Sequence, residues 1–206
     1  MTLPPAPDII AAMMTDNHFI DAAADGASSE TRVLRPEMRH QDIVFRGTSL
    51  TAEERNKIRK ALRTLHTLEI MAVAVYRCQI GRQNTELNRE LIAAMCNEMT
   101  HVQDFQVGLY EYGLSPSLFR WAWHLAGCVM GTIARLLGAE AILNMGIWVE
   151  SKAVSHYSRL LEAAPWDEPM RNIIRKDQED ERGHIRIWRR LLTAAQQKQP
   201  TALQRP

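Results

Sequence analysis

Cysteine is scarce in this chain: Cys78, Cys96 and Cys128 are the three in 206 residues, and no two form a C-x-x-C pair. That excludes a Cys-cornered zinc site or a rubredoxin-type centre and suits reduced thiols in a cytosol-like compartment. An excess of charge of one sign is lacking too. Lys and Arg number 25 against 24 Asp and Glu, a net +1, and no Lys/Arg-rich block appears, so no nucleic-acid surface is expected. No uncharged apolar run reaches the roughly 18 residues of a membrane span. The nearest, WAWHLAGCVMGTIA at residues 121–134, has 14. The first basic residue is Arg32, so the N-terminus reads as neither a secretory signal nor an Arg-rich transit peptide. No G-x-G-x-x-G stands to hold a flavin or dinucleotide, and no sustained period-two run signals a strand.

What is present is helical periodicity. Residues 1–47, with LPPAP and DGASSETR, read as a loosely ordered N-terminal extension carrying at most a short helix near 8–23. From there the texture changes, and residues 48–198 form the expected bundle domain, followed by a tail at 199–206. Thr51-x-x-Glu54 is a capping box opening a first helix that runs to about Ile80 and stops at Gly81. A second runs from Thr85 to Gly113, and a third, apolar one from Ser115-Pro116-Ser117 to Gly138. A fourth covers 139–163 before Pro165, and a fifth runs from Asp167, with Pro169 in its first turn, to about 197. The class is all-α, and long antiparallel helices make it a bundle.

Three E-x-x-H pairs occur: Glu37/His40, Glu98/His101 and Glu181/His184. The first lies in a polar stretch without apolar periodicity and reads as coincidence. The other two lie in strong helical segments, where residues three apart share a face. Glu69 stands 12 residues before Gly81 and Glu98 stands 13 after Thr85, so an antiparallel hairpin brings them level. Glu150 stands 15 before Pro165 and Glu181 stands 14 after Asp167, which levels them as well. Two hairpins thus each present Glu on one helix and Glu-x-x-His on its partner, the ligand set of ferritin-like di-iron carboxylate bundles. The apolar contexts LEIMAVAVY, LIAAMCNEM and ILNMGIWVE predict burial, and four bare carboxylates there would each cost several kcal/mol. Two divalent iron ions would cancel their charge, with the two imidazoles completing the shell.

Asp180, just before the second pair, is placed to orient His101 across the bundle, or else it is a solvent-facing acid. Tyr76 and Tyr157 each fall seven residues after a candidate Glu, on the same face, and would line a channel or serve as core aromatics. His18, His66 and His124 have no matched partner and read as non-ligands.

These residues resemble a known family. Glu69, Ala72, Val75-Tyr76 and Gln79 are similar to the E-x-G-A-x-x-I-Y-x-x-Q segment of demethoxyubiquinone hydroxylases, and Glu98-x-x-His101 to its E-x-x-H. SPSLFRWAWHLAGCVMGTIARLLG resembles the family's apolar third helix, WVESKAVSHY its V-E-x(5)-H-Y, and DERGH its closing D/E-E-x-x-H. The likeness covers about residues 50–190, in order. It implies a ferritin-like four-helix bundle with an additional apolar helix in the crossover. Carried over, it makes Glu69, Glu98, His101, Glu150, Glu181 and His184 the iron ligands and His156 and Tyr157 an outer-shell pair. Two departures stand out: Leu65-His66-Thr67-Leu68 replaces the usual D-H-A-G, and Met71 replaces a glycine. Met71, Ala72 and Tyr76 are expected along the substrate channel.

The resemblance implies a monooxygenase that uses O2 to hydroxylate a methoxy-polyprenyl-benzoquinol ring in ubiquinone biosynthesis, with NADH as external electron donor. A lipid substrate suits the third helix, whose Phe119, Trp121 and Trp123 would sit at headgroup depth while Gly127-x-x-x-Gly131 allows close packing. The expected location is the cytoplasmic face of the cell membrane, peripherally attached, with room for a homo-oligomer or a biosynthetic-complex partner. Rival readings are a soluble ferritin-like oxidase (ferroxidase or rubrerythrin-type peroxidase), a hydroxylase of another aromatic, and a metal-bound scaffold.

Overall fold

The computed structural model describes residues 38–197. His18, Glu37, the helix expected near 8–23 and the C-terminal tail lie outside the described residues. Among the described residues there is no strand. The helices are α1 (Ala52–Gln79), α2 (Glu86–Glu111), α3 (Arg120–Leu137), α4 (Ala139–Ala163) and α5 (Glu168–Gln197), preceded by one 3-10 turn at His40–Asp42.

The caps expected from the sequence are the ones that start the helices. The Thr51 hydroxyl accepts from Glu54 N at 3.3 Å, and the Glu54 carboxylate accepts from Thr51 N at 2.9 Å, so two otherwise orphaned donors are satisfied reciprocally. Thr85 accepts from Asn88 N at 3.1 Å, and Asp167 from Met170 N at 2.9 Å, opening α2 and α5. The apolar helix opens at Arg120, later than Ser117, because Ser117 to Arg120 close a turn first: the Ser117 carbonyl accepts from Arg120 N at 3.3 Å. Arg46 ties the segment before α1 to this frame. Its guanidinium reaches Glu111 at 2.7 Å and Asp167 at 2.9 Å, linking the end of α2 to the cap of α5.

α1 pairs with α2 and α4 with α5, while α2 also meets α5 and α1 meets α4. This is the ferritin-like four-helix arrangement, with α3 as the extra helix of the crossover lying along α1. The α1–α3 contact rests on small residues. Of α3 only Gly127, Gly131 and Ala134 are buried, and a Cβ on Gly127 or Gly131 would collide with the carbonyl of Met71 or Val75 respectively. Removing both side chains lets the backbones touch.

The interior is apolar at both ends and polar between. One end holds Ile58, Leu62, Leu65, Phe105, Leu109, Met170 and Ile174, and the other holds Leu91, Ala94, Leu143, Trp188 and Leu191. Each large aliphatic side chain sealed there contributes about 1.5–3 kcal/mol. The two apolar ends stabilise the fold and shield whatever lies between them.

Candidate metal centre

Between those ends, α1, α2, α4 and α5 each deliver charge to one place. Glu69, Glu98, His101, Glu150 and Glu181 are at most 1% exposed, and His184 is 7% exposed. The structure brings all six together as two overlapping groups: Glu69, Glu98, His101 and Glu181, then Glu98, Glu150, Glu181 and His184, each with ligand atoms within 4.8 Å of one another. Glu98 and Glu181 belong to both. Glu98 turns Oε2 toward His101 Nδ1 at 3.4 Å and Oε1 toward His184 Nδ1 at 3.1 Å. Glu181 does the same with Oε1 at 3.1 Å and Oε2 at 3.3 Å. Each of these two carboxylates faces both imidazoles, an arrangement that sequence spacing does not distinguish from facing only one.

The donor set fits a pair of cations. An imidazole nitrogen carries at most one proton, yet His101 Nδ1 faces Glu181, Glu98 and, at 4.0 Å, Glu69. His184 Nδ1 faces Glu98, Glu181 and, at 3.7 Å, Glu150. Both Glu98 oxygens, Glu150 Oε2, Glu181 Oε1 and His101 Nδ1 are buried without a well-directed hydrogen bond. Orphaned buried charge of this kind costs several kcal/mol per group. A divalent ion held by each group would give such atoms a partner, and two such ions would balance the four carboxylates.

Without cations the cluster is electrostatically frustrated. Burial, then repulsion from Glu181 and Glu98, pushes the Glu69 and Glu150 carboxyls well above the usual carboxylate range. Burial opposes the ionisation of Glu98 too, but contacts from His101 and His184 outweigh it and hold that carboxyl well below its ordinary value. Burial also opposes charging of the imidazoles. Against it, Asp180, Glu181 and Glu98 raise His101 well above its usual value, and Glu150, Glu181 and Glu98 push His184 up to about 12.

The surrounding contacts are partly those expected. Asp180 Oδ2 lies 3.3 Å from His101 Nε2, the atom facing away from the cluster, and Lys176 Nζ holds Asp180 at 3.2 Å. Spacing alone did not single out Asp177, which is fully buried with Oδ1 3.7 Å from the same nitrogen. Burial pushes its carboxyl up to about 6. The available signal was its position, four residues before Glu181 on the same face. The tyrosines cross over. Tyr157 of α4 donates to Glu69 Oε1 of α1 at 2.7 Å, and Tyr76 of α1 donates to Glu150 Oε1 of α4. Trp188 Nε1 donates in turn to the Tyr76 hydroxyl at 3.1 Å.

His156 is placed differently from Tyr157. Its Nδ1 lies 2.8 Å from the Lys152 carbonyl, and its ring lines an apolar pocket of about 400 Å³. That pocket is walled by Leu68, Met71 and Ala72 of α1, Trp123, Ala126 and Met130 of α3, and Trp148, Val149 and Ala153 of α4. Glu69 is also in its wall, so the pocket ends on the carboxylate cluster. Tyr76 is not among its lining residues. Fully buried, it belongs instead to the Glu150 side. His66 is buried within α1, and His124 lies beside Arg77 at 3.3 Å. Neither joins the six.

An all-helical bundle closing on a doubled carboxylate–histidine set defines the class: a ferritin-like helical bundle whose buried Glu/His cluster is compatible with metal binding. The family model described as "Ubiquinone biosynthesis protein COQ7" matches residues 56–205, and the chain belongs to that family. Among curated proteins it is 30% identical to a 3-demethoxyubiquinol 3-hydroxylase of Legionella pneumophila (strain Paris), over 66% of this chain and 65% of that one. A 3-demethoxyubiquinol 3-hydroxylase of Polaromonas sp. is 28% identical over 79% of each chain. A protein of Dictyostelium discoideum named NADPH-dependent 3-demethoxyubiquinone 3-hydroxylase, mitochondrial, is 27% identical over 65% of this chain and 64% of its own. The chain thus matches just under two thirds of the length of the Legionella relative.

Proposed function

We propose that the protein is a di-iron monooxygenase that uses dioxygen to hydroxylate the ring of a methoxy-polyprenyl-benzoquinol in ubiquinone biosynthesis. The observation that carries this reading is the double membership of Glu69, which stands in one four-residue ligand group and in the wall of the apolar pocket. A ring in that pocket lies beside the metals. When bound, the irons supply the redox chemistry, placing one atom of dioxygen on the ring while the other leaves as water. Glu98 and Glu181 would hold both ions, with Glu69 and His101 serving one of them and Glu150 and His184 the other. Tyr157 and Tyr76 fix the outer carboxylates through their hydroxyls, and Asp180 with Asp177 fixes the His101 ring. The apolar ends of the bundle keep bulk water from the site. Electrons come from a reduced pyridine nucleotide, NADH by the resemblance. The name of the Dictyostelium relative points to NADPH.

The outer face of α3 supports attachment to a membrane. Trp121, Leu125, Val129, Ile133 and Leu136 follow one another at helical spacing and are all at least half exposed. No described helix is long and apolar enough to cross a membrane, so the helix would lie in the interface with its tryptophans at headgroup depth. The same helix walls the pocket, which gives a polyprenyl tail a route from the bilayer. Our reading places this on the cytoplasmic face of the cell membrane.

The deciding test is complementation of a strain that accumulates demethoxyubiquinone, run beside iron analysis of the purified protein. Restored ubiquinone with two irons per chain is the expected result. Iron without complementation overturns the quinone assignment and leaves the metal site. One observation favours a second reading, hydroxylation of another apolar aromatic: Leu68 and Met71, at positions where the resembled pattern has glycine, both line the pocket. Met71→Gly would then improve turnover of the quinol.

A further inference from the structure

The glycine seam between α1 and α3 has two flanks. On one lie Trp123, Ala126 and Met130, the pocket wall. On the other lie His124 and Cys128, four residues apart on one face, with Cys128 directly after Gly127. Cys128 Sγ is 3.6 Å from His124 Nε2 and 3.9 Å from the Arg77 guanidinium of α1. The Cys78 thiol of α1 meets the Cys128 thiol across the seam. The helices are close at this level, since a Cβ on Gly131, one turn beyond Cys128, would stand 3.0 Å from the Cys78 Cβ. Both sulfurs belong to partly exposed residues.

We propose that Cys78 and Cys128 form a dithiol that hydrogen peroxide oxidises to a disulfide, tying α3 to α1. Cys128 is the attacking sulfur: the Arg77 guanidinium and the His124 imidazole stand beside its Sγ. Its sulfur bonds to one peroxide oxygen, the O–O bond breaks, and hydroxide leaves and takes up a proton, giving a sulfenic acid and one water. The Cys78 sulfur then attacks that sulfenic sulfur. The S–S bond forms, the S–O bond breaks, and a second water leaves. In sum, two thiols give up two electrons and two protons, and one peroxide becomes two waters. Burial pushes the Cys78 thiol up, which suits the resolving partner. The bond would pin the helix that forms the pocket's outer wall, and a dithiol reductant would release it.

The test is peptide mass spectrometry under non-reducing conditions on the full metal-loaded chain after brief treatment with hydrogen peroxide. A zinc-loaded arm ensures that no redox metal consumes the oxidant. The expected product is lighter by about 2 Da, with the Cys78 and Cys128 peptides linked and Cys96 still open to alkylation. In Cys78→Ser, Cys128 should instead be trapped by a 1,3-diketone as its sulfenic acid, and in Cys128→Ser neither product should form. Circular dichroism of each variant checks that it folds. Oxidation of Cys96 as fast as Cys128, or Cys128 remaining alkylatable in the folded wild type after excess peroxide, overturns the proposal. Because peroxide is added and mass is read, the result is independent of the hydroxylase reading.

Discussion

Glu98, Glu150 and Glu181 are sealed inside the bundle at 0% exposure, whereas Trp121, Leu137 and Leu136 of α3 stand 64%, 73% and 81% exposed. The two regions depart from ordinary burial in opposite directions, charge inside and apolar surface outside. The two apolar ends of the core follow the rule. A departure that the chain does not compensate internally points to something it does not itself contain. On the reading proposed above, that would be a pair of cations for the interior and an apolar phase for the outer face.

If the interior is completed by metal, the largest effect comes from a bridging carboxylate. Glu98→Ala should abolish binding of both ions and all turnover, read by elemental analysis, while vesicle binding through α3 persists. Next is proton release. Without metal, burial and neighbouring carboxylates make Glu69 and Glu150 hold a proton more tightly than a free carboxyl, and the surrounding carboxylates make His101 and His184 hold theirs more tightly than a free imidazole. Ligation needs charged carboxylates and neutral imidazoles, so loading should expel protons from both residue types. Affinity therefore falls as pH falls. Calorimetry in buffers of differing ionisation enthalpy measures the count, and a value near zero would contradict the frustrated cluster.

The seam joining the two regions comes third. Gly131→Leu forces α3 off the Val75 carbonyl and should cost about 2–3 kcal/mol, seen as an earlier thermal transition with metal content retained. On the outer face, Trp121→Ser should weaken partition onto phospholipid vesicles by roughly tenfold and leave iron content alone. The smallest effect is expected from Tyr157→Phe, which removes one hydrogen bond to Glu69 and should weaken metal binding about tenfold.

Much of the helix layout was legible because caps and stops are local chemistry. Thr51, Thr85 and Asp167 set the starts, and counting back from Gly81 and Pro165 levels the carboxylates. Height and face follow from such counting; reach does not. Tyr76 shares a face with Glu69 yet bonds Glu150, and Tyr157 shares a face with Glu150 yet bonds Glu69. The side chain spans the bundle rather than following its own helix. His156 and Tyr157 are adjacent in sequence, but a 100° turn sends one to the pocket and the other to the cluster. That Glu98 and Glu181 each face both histidines depends on carboxylate rotation, to which spacing is blind.

Gly138, with φ of +97°, is the only residue between α3 and α4. A one-residue joint leaves no slack. Whatever surface α3 settles on, α4 must follow as a lever on the same pivot, carrying Glu150 with it. A membrane that took up α3 as proposed would then set the depth of the doorway to the interior as well.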